Sequence, residues 1–242
     1  MRRLRTSIER LVEAGCAASG LLLLTPVLAA LALWILWDDG PPLFFSQKRV
    51  GRRGKLFSIW KFRTMRAGAP GRGITASGDR RVTRVGAWLR KFKLDELPQL
   101  YNVLKGDMSL IGPRPEVPEY VQLESPLWQA VLQVRPGITD LATLLHRDEE
   151  EVLGASADPN AFYRESVLPA KLRLNLAYLR ARSFWRDVNL IFLTLRYSFF
   201  PGKFDRNHVK KILGMGATIH DAAEYLHPLS QAVDRQRGDQ GS

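Results

Sequence analysis

The chain has 242 residues, 45% of them apolar, enough for one full hydrophobic core and a small appendage. Its 36 Lys and Arg against 24 Asp and Glu leave a formal charge of +12, which directs attention to anionic partners: nucleic acid, anionic lipid headgroups or phosphorylated substrates. A single cysteine, Cys16, excludes an intrachain disulfide, and His146, His208, His220 and His227 lack the spacing of a structural zinc site.

The first element is apolar. Residues 16–37 carry no charged side chain and are long enough, at 22 residues, to cross a bilayer core as a helix. Cys16 belongs to this run and is expected to pack inertly. Thr25-Pro26 interrupts the run, and a proline there breaks the backbone ladder. Arg2, Arg3, Arg5 and Arg10 precede the run, and Lys48, Arg49, Arg52, Arg53 and Lys55 follow it. Positive charge marks the cytoplasmic side, so both flanks claim the same side. A re-entrant helix-break-helix, bent at Pro26 with the Thr25 hydroxyl available to a freed carbonyl, resolves the conflict. A single-pass anchor and a cleaved signal peptide (Ala30-Leu31-Ala32 mimics a cleavage site) are the plainer alternatives.

Residues 43–50 and 55–64 flank Gly51-Arg52-Arg53-Gly54 and predict a β-hairpin, with Lys61 and Arg63 on one face of its second strand. That face is either a solvated cationic surface or a phosphate clamp. Residues 67–78 are rich in Gly and Pro and predict a loop, and a basic helix follows from about Arg84.

Asp95-Glu96 is the most informative pair. Asp95 stands where an N-cap belongs, Pro98 falls in the first turn, and Gly106 stands where a C-cap glycine belongs. A helix N-terminus keeps a carboxylate ionised and also attracts phosphate. Two carboxylates there can divide two jobs, one attacking phosphorus and the other holding a divalent cation. The plainer reading is a capping Asp95 beside a solvated Glu96.

Farther on, Arg114 lies between Pro113 and Pro115, and Arg135 lies in a turn over residues 134–139. A guanidinium held by a rigid backbone loses little freedom on binding phosphate, although either arginine could equally be a surface residue. Residues 184–197 have the basic and aromatic make-up of a helix lying among headgroups, or of a core helix.

These blocks together resemble the bacterial sugar transferases, the monotopic phosphoglycosyl transferases that start glycan assembly on a polyprenol phosphate. The resemblance runs through Gln47-Lys48-Arg49-Val50-Gly51, Trp60-Lys61-Phe62-Arg63-Thr64-Met65 and Arg81-Val82-Thr83-Arg84-Val85-Gly86. It continues through Leu94-Asp95-Glu96-Leu97-Pro98-Gln99-Leu100, the stretch from Asn102 to Pro115, and Arg135-Pro136-Gly137-Ile138-Thr139. It implies the minimal form of the family, with Asp95 and Glu96 catalytic, Glu96 on Mg²⁺, and Lys61, Arg90, Arg114 and Arg135 on substrate phosphates. It further implies a UDP-sugar donor, an undecaprenyl phosphate acceptor, a covalent aspartyl phosphosugar, release of UMP, and a role in exopolysaccharide or lipopolysaccharide biosynthesis. Thr25 and Pro26 match the family's membrane break. Asp140 stands where many members carry glycine and Lys93 where a small polar residue is common. Asp140 could alter recognition or be a local turn variant.

The expected fold is α+β and mainly helical. Residues 1–40 form the re-entrant membrane element, 41–202 a cytoplasmic transferase domain with a small hairpin and amphipathic helices at the interface, and 203–242 a tail. The expected site is the cytoplasmic face of the bacterial inner membrane, among anionic lipids and without nucleic acid; a homodimer is compatible with the sequence. The rival readings are a membrane-tethered nucleic-acid-binding protein and a glycan-assembly scaffold without catalysis.

Overall fold

A computed structural model describes residues 2–68, 79–146, 149–154, 156 and 158–214. Most of the expected 67–78 loop, and the tail from residue 215, lie outside the described residues. The architecture is α+β and mainly helical, with a long apolar helix at the N-terminus.

That helix, α1 (Arg2–Asp39), is assigned without interruption and has Pro26 inside it. The Thr25 hydroxyl donates to the Leu21 carbonyl at 2.8 Å, one turn back. Leu22, Leu23, Leu33 and Trp37 are exposed, and so is Cys16, which does not pack as expected. Both halves of α1 nevertheless dock on the rest of the chain. In the first half, Ala17 is buried with Phe57, Ile59, Val103 and Met108. Arg10 donates to the Leu104 carbonyl at 2.6 Å, and Glu13 accepts from the Ser109 hydroxyl. In the second half, Leu31 and Ile35 are buried with Phe62, Val85 and Leu89.

The hairpin forms as expected. β1 (Phe44–Val50) pairs antiparallel with β2 (Leu56–Phe62), register Val50 to Leu56 through Phe44 to Phe62. Arg53 closes the loop in the left-handed region, at φ 57°. Lys61 and Arg63 part company. Arg63 turns back to the end of α1, donating to the Asp39 and Gly40 carbonyls and pairing with the Asp39 carboxylate at 3.2 Å. It is a cap for α1, not half of a phosphate clamp.

Helix α2 (Arg84–Lys91) begins at Thr83, whose hydroxyl accepts from Gly86 N–H. The Asp38 carboxylate accepts from Val85 N–H at 3.2 Å, so the end of α1 also caps α2. Asp95 is not an N-cap. Lys93, left-handed at φ 58°, turns the chain into a 3-10 turn over Leu94–Glu96, and α3 (Gln99–Lys105) starts behind Pro98. A β-branched residue would be strained at that Lys93 conformation. Gly106 ends α3 in the left-handed region, its N–H bonded to the Asn102 and Val103 carbonyls, as the sequence predicts.

Strand β3 (Ser109–Ile111) precedes α4 (Pro126–Val131), and β4 (Gly137–Thr139) follows it. The expected turn at 134–139 is in part this strand, which pairs parallel with β3. Helices α5 (Leu141–Leu145), α6 (Glu149–Gly154), α7 (Pro159–Phe162), α8 (Leu168–Ala181), α9 (Phe184–Phe199) and α10 (Arg206–Leu213) complete the fold. A π-helical turn over Tyr163–Val167 joins α7 to α8. The main core gathers Trp128, Leu141, Leu145, Leu174, Leu190, Leu193 and Tyr197. Val209 and Leu213 of α10 join the same core, so the packed domain runs past residue 202.

A Cβ at Gly86 would stand 2.1 Å from the Thr64 carbonyl oxygen, which is backbone and cannot step aside cheaply. Gly86→Ala is expected to cost about 1–3 kcal/mol, the ordinary range for overpacking. A thermal melt of the full chain in detergent checks it, with Ala87→Gly as the control for helix propensity.

Candidate active site

The site is assembled from four segments: β2, α2, the 94–96 turn and the loop after β3. Asp95 and Glu96 lie side by side in the turn and are 6% and 7% exposed, so the solvated Glu96 of the plain reading is not what forms. Lys61 Nζ donates to Glu96 Oε1 at 2.9 Å. Arg114 Nη1 donates to Glu96 Oε2 at 3.1 Å, and Nη2 donates to Oε1. The two carboxylates thus have opposite surroundings. Glu96 has both oxygens on cations, while Asp95 Oδ1 is shielded from solvent and has no hydrogen-bond partner.

Charge follows the same division. Burial pushes the Glu96 carboxyl up, but the Arg114 and Lys61 charges outweigh it and hold the group well below the usual carboxylate range. Burial also pushes Asp95 up, Lys61 opposes it, and the neighbouring Glu96 charge adds to the rise; the net shift is upward. Lys61 is lowered by burial despite Glu96, whereas Arg114 is raised, chiefly by Glu96.

Arg90 faces this pair from α2. Its Nε donates to the Thr64 hydroxyl at 2.9 Å, and its charge acts to lower Asp95. Arg135 stands apart. It is half-buried just before β4, and no hydrogen bond or ion pair joins its side chain to the cluster among the described residues. Thr25 and Pro26 lie in α1, far from these carboxylates in sequence, and the Thr25 hydroxyl bonds within α1. Asp140 is a buried N-cap for α5, accepting from Thr143 N–H at 2.8 Å and from the Thr143 hydroxyl at 2.6 Å, and its charge also acts to raise Arg114.

Sequence reasoning missed a second buried network behind Arg114. Arg49 donates to the Pro115 carbonyl at 3.2 Å and lies 3.7 Å from Glu116. Glu116 accepts from the Tyr163 hydroxyl at 2.7 Å, and Lys171 pairs with Glu149 at 3.0 Å and approaches Glu116 at 3.9 Å. The network holds Pro115 and Glu116 just after Arg114, and Gly137 N–H holds the Pro113 carbonyl at 3.1 Å just before it, so the backbone carrying Arg114 is fixed on both sides. One signal was available: Arg49 falls inside an ordered motif block, and Glu116 directly follows the block that ends at Pro115.

No group of three His, Cys, Asp or Glu that could hold a metal ion occurs among the described residues. Mg²⁺ does not require one. It commonly takes one or two carboxylates and completes its shell with water and substrate phosphates. An adjacent pair of buried carboxylates fits that pattern, and a protein-only metal cage does not.

Residues 4–201 match the family described as bacterial sugar transferase. The chain is 38% identical over 194 residues to an Aeromonas hydrophila protein, UDP-N-acetylgalactosamine-undecaprenyl-phosphate N-acetylgalactosaminephosphotransferase, covering 78% of this chain and 43% of that one. It is 34% identical over 198 residues to the Escherichia coli UDP-glucose:undecaprenyl-phosphate glucose-1-phosphate transferase, covering 79% and 40%. A Caulobacter vibrioides protein of the same description is 35% identical over 192 residues, covering 77% and 68%. The chain spans less than half the length of the first two.

Two substitutions should move stability in opposite directions. Glu96→Leu leaves Lys61 and Arg114 as uncompensated cations and is expected to cost about 3–5 kcal/mol. Asp95→Asn removes a carboxylate that is destabilised by burial, so it should melt above the parent at neutral pH. Because the folded Asp95 carboxyl is raised, its cost is present while it is ionised and disappears on protonation. The gain from Asp95→Asn should therefore shrink as pH falls through that raised value. Melting curves across pH check both.

Proposed function

Since the chain belongs to the bacterial sugar transferase family, we propose that it transfers a sugar 1-phosphate from a UDP-sugar to a polyprenol phosphate such as undecaprenyl phosphate. The observation that carries the reading is the division of labour between adjacent buried carboxylates: Glu96 neutralised by Lys61 and Arg114, Asp95 left without a hydrogen bond at Oδ1. An unpaired, desolvated carboxylate is a better nucleophile than a solvated or ion-paired one.

In the proposed reaction a carboxylate oxygen of Asp95 attacks the β-phosphorus of the UDP-sugar. A bond forms between that oxygen and phosphorus, the bond to the bridging oxygen breaks, and the electron pair leaves with UMP. The phosphate oxygen of the lipid then attacks the phosphorus of the aspartyl phosphosugar, restoring the carboxylate and giving a polyprenol diphosphate sugar. Lys61, Arg90 and Arg114 would hold the phosphoryl oxygens through both displacements, which suits a reaction catalysed mainly by positioning and charge. Arg135 is the weaker candidate for this work. Glu96, with Asp95 beside it, would hold Mg²⁺, which supplies positive charge to the diphosphate. A two-step route lets a soluble donor depart before a membrane-bound acceptor arrives.

The same reading makes residues 1–40 a re-entrant membrane element and seats the domain on the cytoplasmic face. Support comes from α1 itself. Arg10 and Asp38 would be roughly 42 Å apart on a straight helix, more than a hydrocarbon core, yet both bond to the same domain. A helix that crossed the bilayer would carry them to opposite sides. Helix α9 adds a surface element: Phe184, Trp185, Val188, Phe192, Leu195 and Phe199 are exposed along one side, while Leu190, Leu193 and Tyr197 are buried on the other. Such a stripe suits the headgroup layer. The product would start a surface polysaccharide or glycoconjugate; the relatives' names differ in sugar, so the donor is a matter for assay.

The full chain in nanodiscs should release a stoichiometric burst of UMP from its correct UDP-sugar without acceptor, and should turn over repeatedly once undecaprenyl phosphate is added. Asp95→Asn and removal of Mg²⁺ with EDTA should each abolish the burst. A panel of UDP-sugars read by UMP formation tests this. A folded parent chain that released no UMP from any donor would refute the reading.

A further inference from the structure

The Leu94–Glu96 turn is 3-10, Leu97 and Pro98 keep right-handed backbone angles, and α3 follows. The chain stays right-handed across the junction, so Gln99 follows Asp95 by about one turn, offset from it around the axis because the first part is 3-10. Asn102 lies one turn farther along. It fixes the run against β2, its amide donating to the Ser58 carbonyl at 2.8 Å and accepting from Trp60 N–H at 3.1 Å. Lys61, the next residue of β2, reaches Glu96. Gln99 therefore lies between two anchor points on the same strand.

Gln99 is 1% exposed, and its Nε2 is shielded from solvent with no hydrogen-bond partner. Asp95 Oδ1 is in the same condition. Burying an unpaired amide donor is costly, and an apolar side chain of similar size would pack without that cost. A sealed donor and a sealed acceptor, about one turn apart along the chain, are each the partner that water cannot reach to supply. Hydrogen bonds at reacting groups are often open before substrate binds and tighten in the complex.

We propose that Gln99 is the positioning residue for Asp95: its carboxamide N–H closes on the shielded carboxylate oxygen as the phosphoryl donor binds, leaving the other oxygen aimed at phosphorus. The inference rests on Asp95 being the nucleophile and adds no bond to the balance already written. Gln99 contacts neither sugar nor nucleotide; it removes the rotation about the Asp95 side-chain torsion that would misalign the attack.

The test pairs single-turnover UMP release with thermal melting, using the full chain in nanodiscs. Gln99→Met keeps the volume and removes the donor. Its KM for the UDP-sugar should stay within about 2-fold, because no substrate contact is lost, while the burst slows on the order of 100-fold, the cost of a misplaced reacting group. Its melting temperature should equal or exceed that of the parent, because a buried unpaired donor is gone. Gln99→His, which keeps an N–H, should recover part of the rate. A Gln99→Met chain with the parent's burst rate would overturn the proposal. So would one that is slow but melts well below the parent, since Gln99 would then be holding the fold. A parent chain that forms no UMP fails the nucleophile reading itself and takes this one with it, whereas an active parent with an indifferent Gln99 fails this one alone.

Discussion

The Glu96 carboxylate, held between Lys61 and Arg114, is the contact on which the rest of the site depends. Lys61 comes from β2, Glu96 from the turn before α3, and Arg114 from the loop after β3, so one buried anion ties three segments together. Two cations on one carboxylate leave local positive charge to spare. Asp95 is next to that charge but is not paired with it, and burial lifts its carboxyl while the same surroundings depress Glu96. Adjacent residues of the same chemistry thereby acquire different characters from placement alone.

Burying charge is expensive, and here the expense is met by extending the pairing outward. Behind Arg114, Glu116 is shared by Arg49, Tyr163 and Lys171, and Lys171 is shared in turn with Glu149. Burial pushes Lys171 down, but Glu149, Tyr163 and Glu116 outweigh it and raise it. The layer joins the loop that carries Arg114 to α6 and α8, far along the chain. A loop with prolines at 113 and 115 can then present Arg114 in one direction without a regular element beneath it.

How far the sequence reveals this depends on the range of the interactions. The hairpin, the Thr83 start of α2 and the Gly106 end of α3 are local: alternation, a capping hydroxyl and a left-handed glycine act within a few residues, and each is legible. Asp95 looked equally local, yet its place is decided by the left-handed Lys93 and by the hold of Lys61 on the adjacent Glu96, 35 positions farther along, so it caps nothing. The parallel pairing of Ser109 with Gly137 could not be read, because a three-residue strand has no periodicity and Gly112 and Gly137 signal only that two backbones come close. Arg63 shows the same limit. Its strand face is readable from Lys61, but its partner is the end of a helix more than 20 residues back.

That last contact bears on how a charged site can work at a membrane. Arg63 closes the exposed carbonyls at the end of α1, Asp38 caps α2, and Arg10 meets the last turn of α3. Each of these is a helix terminus, where unsatisfied backbone groups are strongest as partners and hardest to leave bare near lipid. The apolar helix is therefore tied at both arms to the elements that carry Arg90 and flank Asp95. Its exposed leucines lie between those ties. With α1 seated in a bilayer as proposed, any shift of it would move α2 and α3 too, so its depth would set the height of the carboxylates above the lipid. In the proposed reaction a nucleophile that must meet a lipid phosphate at the headgroup level needs a fixed height more than it needs a deep pocket, and the ties at Arg10 and Asp38 would supply it.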